Sequence, residues 1–125
     1  MTTPLSPVET VMTAPLATID HTASLQQAAE ALAADVVGAL VVMHGTTLVG
    51  LLSERDVVAH LALGTDPTRI TVGEVMQVDV LTTSRTSSVR HAARLMVEAG
   101  VRHLPVRDGD AVVGMVSVRD LVTVI

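Results

Sequence analysis

Residues 50–56 read GLLSERD and residues 114–120 read GMVSVRD, so the chain contains the same block twice, 64 positions apart. At that spacing residues 8–58 align with residues 72–122 without a gap. A repeat of roughly 50 residues is too short to bury a core of its own. We therefore predict two copies that pack on each other, with any binding site present twice.

The composition restricts both the core and the possible sites. Hydrophobic residues make up 49% of the 125 residues, which is ample for a buried core, yet the chain contains no Phe, Tyr, Trp or Cys. The core must be aliphatic, so a bound aromatic ring would lie against aliphatic or His side chains. Disulfides and Cys-based metal sites are excluded.

The charges and the hydropathy pattern narrow the class of protein. The formal net charge is −5, which disfavours the basic surface that a nucleic-acid-binding protein needs. Seven of the eight Arg residues follow residue 64, so an anion-binding surface should favour the second repeat. No apolar run reaches the roughly 18 to 20 residues that span a bilayer, and residues 1–15 lack a signal-peptide pattern. We predict a cytoplasmic protein that makes no membrane contact.

Each repeat is predicted to contain an opening turn, a strand, a helix, a two-stranded hairpin and a closing helix. The repeats span residues 8–63 and 72–125, with a linker over 64–71 and a tail over 1–7. In the first repeat the opening turn is expected at residues 8–12, the strand at 16–19 and the helix at 24–34. The hairpin is expected at 39–43 with 47–52, and the closing helix from residue 54. In the second repeat the opening turn is expected at residues 72–76, the strand at 80–82 and the helix from residue 89. The hairpin is expected at 103–107 with 111–116, and the closing helix from residue 118.

Two helix starts carry capping signals. Ser6, Pro7 and Glu9 are expected to cap the first opening turn, supplying a cap, a first-turn proline and a capping-box acid. Ser24 and Gln27 predict a capping box at the start of the first long helix.

The repeated block places a hydroxyl, a guanidinium and a carboxylate where a strand runs into a helix. A helix start offers free N–H groups and the positive end of a dipole, which suit phosphate. Ser53 can add a hydrogen bond and Arg55 a charge, while Asp56 is placed to accept both hydroxyls of a ribose. The second copy offers Ser117, Arg119 and Asp120 in the same order. The combination indicates a nucleotide-binding site.

A purely structural interpretation of the same residues stays open. Ser at a helix start with an acid three residues later is itself a capping box. A cap needs neither the Gly nor the Arg of the block, and both recur in the two copies. That recurrence favours ligand binding over capping alone.

The histidines predict no metal site. His21, His44 and His60 have no partner at ligand spacing in the sequence, and His91 is expected to be solvated on its helix. Arg85, Arg90 and Arg94 are expected to form a solvated helical face.

At this point the chain resembles a known family, the tandem CBS domains, named after cystathionine β-synthase and often called a Bateman module. The resemblance covers residues 8–124. It rests on the Val-Met pairs at 11–12 and 75–76, the Ala-rich helices, the stretch GVRHLPV at 100–106, and the two Gly-x-x-Ser-x-x-Asp blocks. It implies a mixed α/β (α+β) fold of two β-α-β-β-α repeats, related by a pseudo-twofold axis, with sheets packed together and clefts between them.

The resemblance also implies a ligand and the residues that hold it. Such clefts bind adenosyl compounds such as AMP, ADP, ATP, S-adenosylmethionine or NAD. By residue-by-residue match, Asp56 and Asp120 would hold ribose hydroxyls, and the Ser and Arg residues of each block would contact phosphate or ribose. The remaining candidates, at the cleft edge and before the hairpins, are Thr18, Ile19, Thr82, Thr83, Val37, Gly38, Ala39, Val101, Arg102, His103 and Pro105.

The two copies differ in one respect that bears on binding. The second repeat carries Arg102 and His103 where the first has Gly38 and Ala39. The first repeat thus lacks a cation and an imidazole that could approach phosphate. We predict two clefts of one design and unequal affinity.

These observations predict a stand-alone regulatory module that senses an adenosyl ligand and signals to a protein partner or to its own oligomer. The alternative is a structural or dimerisation module with empty clefts, in which the Ser and Asp residues act only as caps. The chain has no Cys or Lys, and no His is paired with Ser and an acid in a recognisable catalytic order, so we predict no enzyme activity. The family resemblance implies a homodimer joined through helical faces, and no cofactor is required.

Overall fold

The computed structural model describes residues 1–124, which form two compact units. The central unit is Ala17–Val80, and the split unit combines Met1–Leu16 with the chain from Leu81 onward. Each unit therefore takes its opening turn from the other sequence repeat. Residues 8–12 belong with the hairpin of the second repeat, and residues 72–76 belong with that of the first.

The central unit contains a three-stranded sheet in the order β1-β2-β3. β1 runs parallel to β2, and β2 runs antiparallel to β3. Its elements are β1 (Thr18–Asp20), α1 (Leu25–Asp35), β2 (Ala39–His44), β3 (Thr47–Ser53), α2 (Glu54–Ala62) and α3 (Val72–Val75).

The split unit repeats this topology with a second three-stranded sheet in the order β4-β5-β6. It opens with a 3₁₀ turn at Val8–Thr10. Its other elements are β4 (Thr83–Ser84), α4 (Val89–Ala99), β5 (His103–Asp108), β6 (Ala111–Ser117) and α5 (Val118–Val122). The predicted mixed fold of two β-α-β-β-α repeats is confirmed.

The two cores match position for position at the 64-residue spacing. Val8 is buried among residues of the second repeat, and its counterpart Val72 is buried among residues of the first. The core of the central unit comprises Leu25, Ala28, Leu32, Leu40, Val42, Leu52, Val57 and Val72. The core of the split unit comprises Val8, Val89, Ala92, Met96, Leu104, Val106, Val116 and Leu121.

A methionine of each opening turn lies directly over the glycine of a repeated block. A Cβ atom added to Gly114 would lie 2.6 Å from Met12 Sδ and 2.9 Å from the carbonyl oxygen of Thr13. A Cβ atom on Gly50 would overlap Met76 Sδ and lie 2.9 Å from the carbonyl oxygen of Gln77. These glycines are therefore required by the close approach of the opening turns.

Backbone hydrogen bonds fix that approach in both units. Thr13 and Met115 exchange two hydrogen bonds of 2.8 and 3.1 Å between their N–H and carbonyl groups. Leu51 and Gln77 exchange the equivalent pair, at 3.0 and 2.9 Å. Each opening turn is thus joined to the edge of the strand that leads into the closing helix.

Several predicted boundaries and one predicted cap were wrong. The first strand begins at Thr18 rather than at residue 16, and the strand predicted at 80–82 lies at Thr83–Ser84. Ser6 and Glu9 do not cap the opening turn, since the residue before it is Pro7 and no side chain caps it. Glu9 instead pairs with Arg85 at 2.9 Å. The capping box predicted at Ser24 and Gln27 is confirmed.

Candidate functional site

The repeated block forms the corner between β3 and α2 in the central unit. Ser53 is the residue before α2, and its Oγ accepts a hydrogen bond of 3.2 Å from the N–H of Asp56. Asp56 Oδ2 in turn accepts from the Ser53 N–H at 2.8 Å and from Ser53 Oγ at 2.9 Å. The two side chains therefore hold each other as a capping box.

The split unit builds the same corner between β6 and α5. Asp120 Oδ2 accepts from the Ser117 N–H at 2.8 Å and from Ser117 Oγ at 3.0 Å. Ser117 Oγ accepts from the Asp120 N–H at 3.3 Å. In both copies one carboxylate oxygen is used within the corner, so the other is the atom left to receive a ligand.

The remaining carboxylate oxygen differs between the two units. The side-chain amide of Gln77 lies 3.1 Å from Asp56 Oδ2 and 3.4 Å from Asp56 Oδ1. Within residues 1–124, Oδ1 of Asp120 accepts no hydrogen bond, because Thr13 stands where the central unit has Gln77. The acceptor of the split unit is therefore the more open one.

The guanidinium groups of the blocks are available to an anion. Arg55 and Arg119 are both exposed, and neither forms an ion pair with any residue that the structure describes. The first turn of α2 holds two acids, Glu54 and Asp56, whereas that of α5 holds Asp120 alone. Arg119 therefore has one acidic side chain fewer in its helix turn than Arg55 has.

The segments before the hairpins are brought to the same corners. The N–H of Glu54 donates to the carbonyl of Gly38, and the N–H of Val118 donates to the carbonyl of Arg102, both at 2.9 Å. Ala39 lies opposite Ser53 in the sheet, and His103 lies opposite Ser117. Val37, Gly38, Val101 and His103 are half-buried, and Arg102 is exposed. Pro105 is less than 2% exposed, so it has no surface to offer a ligand in this state.

The candidates on the first strand of each unit have unequal surroundings. Thr18 is exposed and Ile19 is half-buried. Thr82 lies just before β4, where its Oγ1 accepts a hydrogen bond of 3.2 Å from Arg107 Nε. Thr83 is only 5% exposed. Its hydroxyl is the one buried side-chain polar atom without a hydrogen-bond partner in the described part of the chain.

Thr83→Val is expected to leave the protein as stable as before or to raise its free energy of unfolding by about 1 kcal/mol. An unpartnered buried hydroxyl costs roughly 1–3 kcal/mol, and the substitution removes it while keeping the shape. The equivalent residue of the central unit, Ile19, is already apolar. Urea denaturation followed by circular dichroism measures the difference.

The neighbouring substitution Thr82→Val is the matched control. It removes the acceptor for Arg107, which is expected to cost about 0.5–1.5 kcal/mol. Equal destabilisation by the two substitutions would contradict this account of Thr83.

Two histidines that the sequence left unpartnered are in contact. His44 Nδ1 lies 2.7 Å from His21 Nε2, and the ring centroids are 4.6 Å apart. The repeat alignment could have indicated this contact, because it places His21 on Arg85 and His44 on Asp108. Those two residues carry opposite charges and form an ion pair of 3.1 Å in the split unit.

Arg85 was wrongly predicted to lie on a solvated helical face with Arg90 and Arg94. It precedes α4 and bridges Glu9 and Asp108. These carboxylates raise the pKa of Arg85 above its ordinary value, chiefly through the hydrogen bond with Glu9. Arg90 and Arg94 are exposed on α4, as predicted.

Residues 1–124 contain neither a metal-binding cluster nor a membrane-spanning helix. No cluster of three or more His, Asp or Glu side chains is arranged to hold a metal ion there. None of the helices in that stretch is long and apolar enough to cross a membrane.

Comparisons with known proteins agree with the geometry of the fold. A family model described as CBS domain matches the chain twice, at residues 8–63 and 72–125. The CBS domain-containing protein YhcV of Bacillus subtilis is 30% identical over 117 residues, which cover 94% of this chain and 84% of that protein.

Two solved structures share the arrangement over nearly the whole chain. A pair of CBS domains in complex with 5′-methylthioadenosine and S-adenosyl-L-methionine is 27% identical, with a TM-score of 0.86. The match covers 96% of this chain and 95% of that one. A hexameric CBS-CP12 protein from bloom-forming cyanobacteria is 26% identical with a TM-score of 0.88, over 94% of this chain and 67% of its own.

Proposed function

The chain belongs to the CBS domain family, and from that premise we propose that it is a regulatory module whose two units each bind an adenosyl ligand. Asp56 and Asp120 hold the ribose hydroxyls. Ser53 and Ser117 contact ribose or phosphate, and Arg55 and Arg119 attract the phosphates. The bound state is passed to a protein partner or to an oligomer of the chain, without catalysis.

One observation carries the proposal. Both units hold an Asp carboxylate at the same strand-to-helix corner, with Oδ2 fixed by Ser. The residue before each Asp is an exposed Arg that forms no ion pair within residues 1–124. A carboxylate whose orientation is fixed in advance can accept two hydroxyls without losing side-chain freedom on binding. The related pair of CBS domains crystallised with two adenosyl compounds supports this class of ligand.

The two units are expected to bind the ligand with unequal affinities. In the central unit a ligand must compete with the amide of Gln77 for the Asp56 carboxylate. In the split unit no residue within 1–124 bonds Oδ1 of Asp120, and Val118 stands where the central unit has the acid Glu54. We expect the ligand to bind first to the split unit.

Thermal unfolding in the presence of AMP, ADP, ATP, NAD or S-adenosylmethionine tests the proposal. A ligand at 100 times its dissociation constant stabilises the folded protein by about 2.7 kcal/mol, which is a readily measured rise in Tm. A rise with at least one of the five compounds is expected. No rise with any of them at millimolar concentration would overturn the proposal.

The second candidate is a structural module that associates through α2 and binds no ligand. The capping boxes favour it, since Ser53 and Asp56 already satisfy each other. Val58 and Leu61 on α2 are 63% and 48% exposed, and Leu63 just beyond it is 81% exposed, which is an apolar surface suited to a second copy. An oligomer that shows no Tm rise with any of the five compounds would support this candidate.

A further inference from the structure

His21 and His44 form a pair of imidazoles at the end of the sheet of the central unit. His21 directly follows β1, and His44 is the last residue of β2. The facing nitrogens, Nε2 of His21 and Nδ1 of His44, are 2.7 Å apart. The two facing nitrogens form a hydrogen bond with each other, and neither ring bonds any other side chain among residues 1–124, so a shared ligand has only that one hydrogen bond to replace.

The backbone holds both rings in place. The N–H of His21 donates to the carbonyl of Met43 at 3.1 Å, and its carbonyl accepts from the N–H of Gly73 at 2.8 Å. His44 pairs with Thr47 in the β2–β3 hairpin. A ligand that uses both rings therefore meets side chains whose backbone positions are already fixed.

We propose that His21 and His44 form a two-imidazole site for a divalent transition-metal ion of the class of Zn²⁺ or Ni²⁺. Imidazole is a preferred ligand of these ions. Two nitrogens about 2.0–2.1 Å from one ion are about 2.9 Å apart at an octahedral angle and about 3.3 Å apart at the tetrahedral angle of Zn²⁺, so the rings must move apart slightly from the observed 2.7 Å. Metal binding replaces the hydrogen bond between the rings. The hydrogen leaves the facing nitrogen, and each ring then carries its hydrogen on the outer nitrogen, Nδ1 of His21 and Nε2 of His44. Water fills the other coordination positions.

A carboxylate beside the pair favours a cation there. Asp20 is the last residue of β1, directly before His21, and it lies opposite Met43, the residue before His44, in the sheet. Its Oδ1 accepts from the N–H and the hydroxyl of Thr22, whereas Oδ2 accepts no hydrogen bond within the described chain. Asp20 therefore adds negative charge next to the two imidazoles.

The split unit supplies an internal comparison. The same two alignment positions hold Arg85 and Asp108, joined by an ion pair of 3.1 Å. The fold thus brings these positions together in both units, and only the central unit fills them with two metal-ligating side chains. This inference does not depend on the proposed nucleotide site.

Calorimetric titration of the full chain with Zn²⁺ and with Ni²⁺, and with Mg²⁺ as a hard cation that prefers oxygen ligands, tests the site. We expect one Zn²⁺ or Ni²⁺ ion to bind per chain and no heat from Mg²⁺. His44→Ala should weaken binding roughly tenfold or more, because loss of even an outer-shell partner costs about that much. The controls His60→Ala and His91→Ala should bind as the unmodified protein does.

The double variant His21→Arg with His44→Asp keeps the protein folded by copying the pair of the split unit. It should unfold with an unchanged urea m-value and bind neither metal. In the unmodified protein, the ¹⁵N resonances of only the His21 and His44 rings should shift with Zn²⁺. Undiminished binding by the double variant, or no binding by the unmodified chain at millimolar metal, would overturn the site.

Discussion

Gly50→Ala and Gly114→Ala should each lower the free energy of unfolding by about 1–3 kcal/mol, the usual cost of overpacking a filled interior. The added methyl group would meet the sulfur of Met76 or Met12 and, at 2.9 Å, a backbone carbonyl oxygen. A methionine side chain can move aside, but the carbonyls belong to Gln77 and Thr13, whose backbones are hydrogen-bonded to the same strands. The cost should therefore lie towards the upper end of that range.

A double-mutant cycle separates the two contacts. Met76→Ala should recover part of the loss in the Gly50→Ala background, because it removes the flexible obstacle and leaves the carbonyl of Gln77 in place. Urea unfolding of the four proteins gives the coupling free energy. Unchanged stability of both glycine variants would show that the opening turns do not need this close approach.

The same contact explains which part of the fold the sequence could not predict. The repeat alignment pairs Met12 with Met76 and Gly50 with Gly114, so either methionine fits over either glycine. The sequence pattern therefore cannot predict that the opening turns are exchanged between the units. A methionine buries the same groups whether it covers the glycine of its own repeat or that of the other repeat. Only the three-dimensional path of the chain assigns Met12 to Gly114 and Met76 to Gly50.

The elements with local signals were predicted well. The capping boxes at Ser24 and Ser53 depend on residues three apart, and the starts of both hairpins and both closing helices were found. Contacts between residues distant in sequence were missed. Glu9 was assigned to a local cap, yet it pairs with Arg85, and His21 meets His44 across 23 residues.

The repeated Ser–Asp corner illustrates why the candidate site could be located but not assigned from sequence. The pattern marks both a cap and a nucleotide contact, and the structure shows that the cap is formed. Loss of the Asp side chain must weaken the helix start whether or not a ligand binds there.

Asp120→Ala and Ser117→Ala together separate the two roles. Both variants break the capping box of α5, so each should lower the free energy of unfolding by about 0.5–2 kcal/mol. They should differ in ligand affinity. Hydrogen bonds to a charged group contribute about 1.5–3 kcal/mol, so Asp120→Ala should raise the Kd for the adenosyl ligand roughly 10- to 100-fold. Ser117→Ala keeps the carboxylate and should raise the Kd much less.

Calorimetric titration with the adenosyl compound that raises Tm measures both affinities, at a temperature where each variant is folded. Asp56→Ala in the central unit is the parallel case, and its effect on the first binding step should be smaller because Gln77 already engages that carboxylate. Equal affinity losses for Ser117→Ala and Asp120→Ala would mean that ligand affinity depends on the capped start of α5 and not on the carboxylate itself. An unchanged Kd in Asp120→Ala would leave capping as the sole role of the carboxylate, because the charge would then contribute nothing to binding.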